Sequence, residues 1–383
     1  MILLLMLCVG LIGANSLVLS PIAAEVAQGL GVGSAAEVMT AAAIYGFGVA
    51  LSALFLAPRA DRIGAPKALK QGLILVILGM AASGFAPSLL ILSLGQGLTG
   101  AGVGIALPAI YSLAAIIAPK GKEARVMGLV LTGWTLSMVG GVTLAAFIAD
   151  FWGWRSVFGL LGIGIVAIFV PVHYANFPPH TVSDVTTSPF SALQVPGILP
   201  ALFSVLMLGT GFYGVYNFLG AHLTDNLSRN VSDAGLLTLS YGLGFGASTL
   251  LDPWLDRVGP RRGLLAVFSA LGLYYLAMTF WSDTYYVLVA MMFGWGIVQH
   301  LGLNLTVGRL SQLDASQRGA VMGLNSTVMY LSVFGATLAF RPLFEGGGLT
   351  LCLIGASLLA FLGASEALFA RLRARRDLIL ENS

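Results

Sequence analysis

The chain has 383 residues, of which 57% are hydrophobic and only 9% charged, with a formal net charge of +3 and a mean hydropathy of +0.92. A soluble chain of this length would carry about 25% charged residues, so this composition excludes a soluble multidomain protein and makes lipid the solvent. The small net charge gives no support for nucleic-acid binding, and Cys8 and Cys352, in apolar runs without a CxxC pair, read as buried packing thiols.

Apolar windows of about 20 residues, enough to cross a ~30 Å hydrocarbon core, predict the helices in chain order. Six fall at 2–25, 37–57, 69–86, 88–117, 125–149 and 154–176. Six more follow at 195–222, 233–253, 263–281, 285–311, 317–340 and 347–370. The first lacks a basic leader and exceeds a signal-peptide core, so it is expected to be retained. The expected fold is therefore an all-α integral membrane protein of twelve transmembrane helices in two pseudo-symmetric six-helix bundles. These are residues 1–176 and 195–372, joined by a cytoplasmic linker at 177–194 and followed by a tail at 373–383. The linker holds Pro178, Pro179 and Pro189 and is too short for a folded domain.

Lysine and arginine set the expected orientation, because cytoplasmic loops carry their excess. Sixteen of the 19 lie on one side of this arrangement, and only Arg155, Arg229 and Arg341 on the other. Both termini are thus expected in the cytoplasm of a cell bounded by this plasma (inner) membrane.

The chain repeats itself. Pro58-Arg59-Ala60-Asp61-Arg62-Ile63-Gly64 recurs as Pro253-Trp254-Leu255-Asp256-Arg257-Val258-Gly259, 195 positions on, and Met127-Gly128-Leu129 recurs as Met322-Gly323-Leu324 at the same offset. Duplicated bundles are a common plan of transporters.

These residues carry a resemblance. Asp61-Arg62-Ile63-Gly64 with Pro66-Lys67, and Asp256 to Gly259 with Arg261-Arg262, resemble the cytoplasmic loop signature of the major facilitator superfamily. Pro21-Ile22, Gln96-Gly97 with Gly100, Gly102 and Gly104, and Trp154-Arg155 with Phe158 extend it over most of the first half. The pattern is nearest the bacterial drug and sugar efflux branch, with departures. Ser93 stands where that branch has a helix 4 arginine, and Ser137-Met138 where it has a helix 5 Gly-Pro. The glycine four residues before each loop aspartate is Ala57 in the first half and Asp252 in the second. The resemblance implies alternating access about a central site lined by helices 1, 4, 7 and 10. It also implies gating roles for Asp61, Arg62, Gly64 and Arg125, and for Asp256, Arg257 and Gly259. The plainer reading of these loops is a solvated turn touching anionic lipid.

Polar and aromatic residues on the lining helices are the substrate-binding candidates. Tyr213, Tyr216, Asn217 and Gly220 share one face of helix 7 at i, i+3, i+4 and i+7. On helix 10, Trp295 and Gln299 share a stripe, and His300 and Asn304 form an adjacent i, i+4 pair. Asn15 and Gln96 lie at comparable depth, with Tyr45, Trp134, Tyr241 and Asn325 on flanking helices. Each could instead join helices or fill space.

No Asp or Glu lies in the central third of helices 1, 4, 7 or 10. Proton coupling would then use His300, Glu25 or a less typical site, and Glu366 in helix 12 is expected to be paired or close enough to the surface to snorkel. Without Lys or Arg in the lining, a phosphate ester lacks its usual partner. A neutral, weakly charged or amphipathic small molecule fits best. The 12 methionines read as packing rather than copper ligands.

The expectation is a monomeric secondary transporter, of efflux direction, with a small-molecule substrate, the lipid bilayer and a proton or other coupling ion as partners, and no metal or cofactor. An uptake porter or uniporter and a non-transporting membrane receptor stay open. An enzyme does not, since HExxH, GxSxG and GxxxxGK[ST] are all missing.

Overall fold

The computed structural model describes residues 1–56, 63–119, 122–175, 177, 189–314 and 317–381, leaving aside the side chains of 123, 124, 189, 254, 256, 260–262, 318 and 373–381. The described residues are overwhelmingly helical. In chain order the helices are α1 (Ile2–Leu30), α2 (Ala35–Phe55), α3 (Ala65–Gly84) and α4 (Leu89–Ile117). Then come α5, built from Glu123–Leu136, a π-helical segment Ser137–Val142 and Thr143–Trp152, and α6 (Trp154–Tyr174). After one helical turn at Pro189–Ala192 follow α7 (Ile198–Ala221, with a π-helical end His222–Asn226) and α8 (Val231–Ala247). A 3-10 turn Ser248–Leu251 and a short helix Asp252–Val258 lead to α9 (Pro260–Thr279) and α10 (Tyr285–Ser311). The final helical stretch, Arg318–Glu381, is broken at Gly347 and Gly348, and we call its two parts α11 (318–346) and α12 (349–381).

Ten helices among the described residues are long and apolar enough to cross a membrane, the broken final stretch being taken as one. Only closed backbone hydrogen bonding is tolerated in hydrocarbon, which is why such apolar runs emerge as helices. Their ends are chemically marked. Ser34 and Ser88 cap α2 and α4 by accepting the main-chain N–H groups of Glu37 and Ile91, at 3.2 and 3.4 Å. Helix α1 runs five residues past its expected end and stops at Gly31 in the left-handed conformation.

The internal repeat is visible in the backbone itself. Gly64 (φ 86°) and Gly259 (φ 73°) start α3 and α9 from a conformation that disfavours any side chain, and they are 195 positions apart. Gly153 (φ 78°) and Gly348 (φ 63°), at the starts of α6 and α12, are separated by the same 195.

Helix contacts repeat as well. A Cβ on Gly100 of α4 would collide with the main-chain carbonyl of Tyr45 in α2, and one on Gly296 of α10 with that of Tyr241 in α8. Both pairs are offset by 196. Small residues let backbones approach where lipid offers no hydrophobic drive for helices to associate. Helix α4 packs on α1, α2, α3 and α5, and α10 on α7, α8, α9 and the final stretch. Contacts between the two halves of the chain run through α2 with α11, α5 with α8, and α1 with α7.

Candidate functional site

Tyrosines from both halves of the chain converge where α2, α7 and α11 meet. The rings of Tyr45 on α2 and Tyr330 on α11 stand edge to face, centroids 6.2 Å apart, and the Tyr45 hydroxyl shares a 2.6 Å hydrogen bond with Ser16 of α1. Tyr213 of α7, partly buried, lies close to Tyr45 and Tyr330 as well as to Tyr216 and Tyr241 of its own half. Nearby in the first half, Trp134 of α5 donates its indole N–H to the Tyr111 hydroxyl of α4 at 3.3 Å. Deeper on the second-half side, the Phe212 ring lies within 5.5 Å of the ring centroids of Tyr213, Tyr216, Tyr241 and Trp295. Trp295 in turn donates to the Tyr275 hydroxyl at 3.1 Å. Ser16, Tyr111, Phe212, Tyr275 and Tyr330 are missing from the sequence candidates. Their signal was available, since each is a polar or aromatic residue in an apolar helix.

The helix 7 stripe does more than line a centre. Tyr216 donates its hydroxyl to the Leu17 carbonyl at 3.4 Å, and Ser20 donates back to the Tyr216 carbonyl at 2.5 Å. A Cβ on Gly220 would strike the Ser20 carbonyl. The stripe therefore presses α7 onto the second half of α1. Asn217 turns aside and donates to Thr337 of α11 at 2.8 Å.

The amides sort into a different arrangement. Ser83 of α3 donates to the Gly79 carbonyl, so the Gln96 amide must donate to Ser83, at 3.0 Å. Gln96 is left with its carbonyl oxygen to accept from Asn15 at 3.2 Å. Asn15 and Gln96 thus tie α1 and α4 to α3, and the relay ends on the buried Asn15 Oδ1, which has no hydrogen-bond partner. Gln299 Oε1 and Asn325 Oδ1 are likewise buried and unpartnered. Buried amide oxygens of this kind are acceptors in want of a donor.

His300 and Asn304 converge on one oxygen of Asp252, at 3.1 and 2.9 Å. A carboxylate therefore does reach helix 10, from the first residue of the short helix that follows α8. Farther along α10, Arg309 makes a two-armed ion pair with Glu366 of α12, both bonds 2.8 Å, and Ser204 of α7 joins it. Glu366 has the partner that its depth demands.

Of the gating candidates, Asp61 and Arg62 lie outside the described residues, as does the Asp256 side chain. Gly64 and Gly259 hold the two positive-φ turns, and Arg125 and Arg257 are exposed. Glu25 is partly buried near the Leu30 end of α1. A separate pocket of about 360 Å³ opens at the far end of α7, lined by His222, Asn226, Asp283, Glu345 and Thr350. Among the described residues no three His, Cys, Asp or Glu side chains are grouped to hold a metal ion.

Residues 5–337 match the family model of the Major Facilitator Superfamily. The chain is 27% identical over 345 residues to the "Uncharacterized MFS-type transporter YwfA" of Bacillus subtilis, covering 88% of this chain and 83% of that protein. It is 24% identical to the "Probable sugar efflux transporter" of Pasteurella multocida, over 68% of this chain and 62% of that one. It is 21% identical to the "Purine ribonucleoside efflux pump NepI" of Escherichia coli O6:K15:H31, over 58% and 57%. The last two matches span less than two thirds of those relatives.

Proposed function

The chain belongs to the Major Facilitator Superfamily, and on that premise we propose that it exports a small, neutral or weakly charged organic solute bearing several hydrogen-bond donors. Like other members it is a multi-pass membrane transporter and not an enzyme. Two relatives named for efflux, of sugars and of purine ribonucleosides, support the direction. Both solutes named there are uncharged molecules rich in O–H groups.

One observation carries the reading. The centre between the chain halves holds the hydroxyls of Tyr45, Tyr213 and Tyr330, with Tyr111 and Trp134 beside them, and no described lysine, arginine or carboxylate takes part. Tyrosines give flat faces for a ring and hydroxyls for its polar edge, at low dielectric where an ill-matched charge would be expensive.

In this reading twelve spans form two six-helix bundles, with the Gly347-Gly348 break separating the eleventh from the twelfth and α9 completing the count. Both termini face the cytoplasm across the inner membrane, as the lysine and arginine bias favours. The α1 to α7 contact then closes the outer end of a central path, and α4 and α10, each packed within its own bundle, flank the end that opens inward. Alternating access follows as a rocking of the bundles. The segments that carry Asp61 and Asp256 serve as inner latches, and the protein works as a monomer.

A thermal-stability screen of the purified protein against sugars, purine ribonucleosides, organic anions and amines tests the proposal. A ligand at a hundredfold excess over its dissociation constant stabilises the folded state by about 2.7 kcal/mol. Uncharged polyhydroxyl solutes should raise the melting temperature, and Tyr213→Ala and Tyr330→Ala should abolish that rise. Stabilisation by organic anions alone would sink the reading.

A further inference from the structure

The second half of the chain carries a carboxylate where the family resemblance implies glycine, and the structure gives that carboxylate two partners on the neighbouring helix. Asp252 follows the 3-10 turn Ser248–Leu251, which tightens the end of α8. Its Oδ1 accepts from His300 Nε2 at 3.1 Å and from Asn304 Nδ2 at 2.9 Å. An ionised carboxylate can only accept, so the ring hydrogen sits on Nε2 and Nδ1 of the neutral ring is a bare lone pair. That Nδ1 is buried and has no hydrogen-bond partner. Phe245 holds the ring edge to face, centroids 4.8 Å apart.

We propose that His300, with Asp252 and Asn304, is a proton-binding site whose occupancy drives the transport cycle; this rests on the transporter reading above. The proton comes from water at the Arg257 end and bonds to the Nδ1 lone pair. The neutral imidazole becomes imidazolium, and the hydrogen bond from Nε2 to Asp252 becomes an ion pair. Release breaks the Nδ1–H bond and returns the proton to water, leaving Nε2–H and the carboxylate as they were. A charge-assisted bond at low dielectric is stronger than a neutral one. The bound proton therefore tightens the end of α8 against α10, one helical turn before Asp256, and its loss loosens that contact.

Few other charges compete for the ring. Among the described residues, Asp252 is the charged side chain in contact with His300. On the other elements packed against α10, Glu366 of α12 is held by Arg309, and Asp233 of α8 stands at that helix's opposite end beside Arg229. The described part of α9 brings Tyr274 and Tyr275, and α7 brings Ser204. Arg257 is exposed, and the side chains of Arg261 and Arg262 lie outside the described residues.

Nitrogen-15 NMR of histidine-labelled, full-length protein in lipid nanodiscs reads each ring nitrogen directly, and His300→Gln assigns one resonance pair among the four histidines. Through a titration series of falling pH, His300 should pass from a protonated Nε2 with an acceptor Nδ1 to a ring protonated on both nitrogens. In Asp252→Ala the single tautomer should give way to a mixture. A ring protonated on Nδ1 at high pH, or one that does not change across the series, overturns the site.

A second arm uses proteoliposomes with a purine ribonucleoside and a disaccharide as probes. In His300→Gln, accumulation of probe driven by a pH gradient should fall tenfold or more relative to the same variant's exchange of probe without a gradient. Wild-type accumulation in that variant would overturn the coupling role while leaving the transporter reading intact. If the wild-type protein moves neither probe, the failure belongs to the substrate reading, and the ring spectra decide the proton site.

Discussion

Tyr216 donates its hydroxyl to the carbonyl of Leu17, 3.4 Å away on the other half of the chain. That carbonyl is free because Pro21, four residues on, has no N–H to close the helical hydrogen bond. A proline that would weaken α1 alone thus supplies an acceptor for α7, and Ser20 answers by donating to the Tyr216 carbonyl. Gly220 then lets the two backbones meet.

Opening this contact should therefore need no loss of fold. In Gly220→Leu the added side chain must displace the Ser20 carbonyl, which holds α1 and α7 apart. Spin labels on exposed Gln28 and Asn226, near the ends of the two helices, should report a longer distance in the variant than in the wild type. An unchanged distance distribution would mean that the contact is incidental packing.

The Arg309 to Glu366 pair makes a prediction about stability. Both side chains are largely buried, and removing one partner strands the other's charge. Arg309→Met or Glu366→Gln should each cost about 3 to 5 kcal/mol, whereas Arg309→Met with Glu366→Leu should recover most of it. Unfolding midpoints in detergent check this, and additive losses in the double variant would argue against the pairing.

The repeated turns predict matched effects at distant positions. Gly64→Ala and Gly259→Ala each force a side chain into a backbone region nearly reserved for glycine, at roughly 1 to 3 kcal/mol. Gly128→Ala, at a helical position with open space where the Cβ would go, should be neutral or slightly stabilising. Equal tolerance at all three sites in a stability assay would count against the turn geometry.

The membrane-crossing helices are largely legible in the sequence because apolar length is a local property, and the repeat is legible because it leaves pairs such as Gly64 and Gly259 at one offset. Contacts are less so. Helical spacing puts Asn15 and Gln96 at similar depth but does not say that Ser83, by donating to Gly79, fixes the direction of their hydrogen bonds. Likewise, His300 and Asn304 are recognisable as neighbours on helix 10. Their convergence on Asp252 depends on how the 3-10 turn ends α8, which no periodicity reveals. Asp252 in a place where glycine is expected was the available clue. Tyr330 is harder to single out, because a tyrosine in an apolar helix is ordinary until its ring is seen facing Tyr45 across the two halves.

Transport itself is the most direct test of the central claim. Purified protein in proteoliposomes, loaded with a radiolabelled purine ribonucleoside or disaccharide, should release label faster than empty-vector or Tyr213→Ala vesicles. The release should be at least tenfold slower in Tyr213→Ala, with its melting temperature kept within a few degrees of wild type. Release that is equal in the two proteins, or confined to charged solutes, would contradict a tyrosine-lined path for neutral molecules.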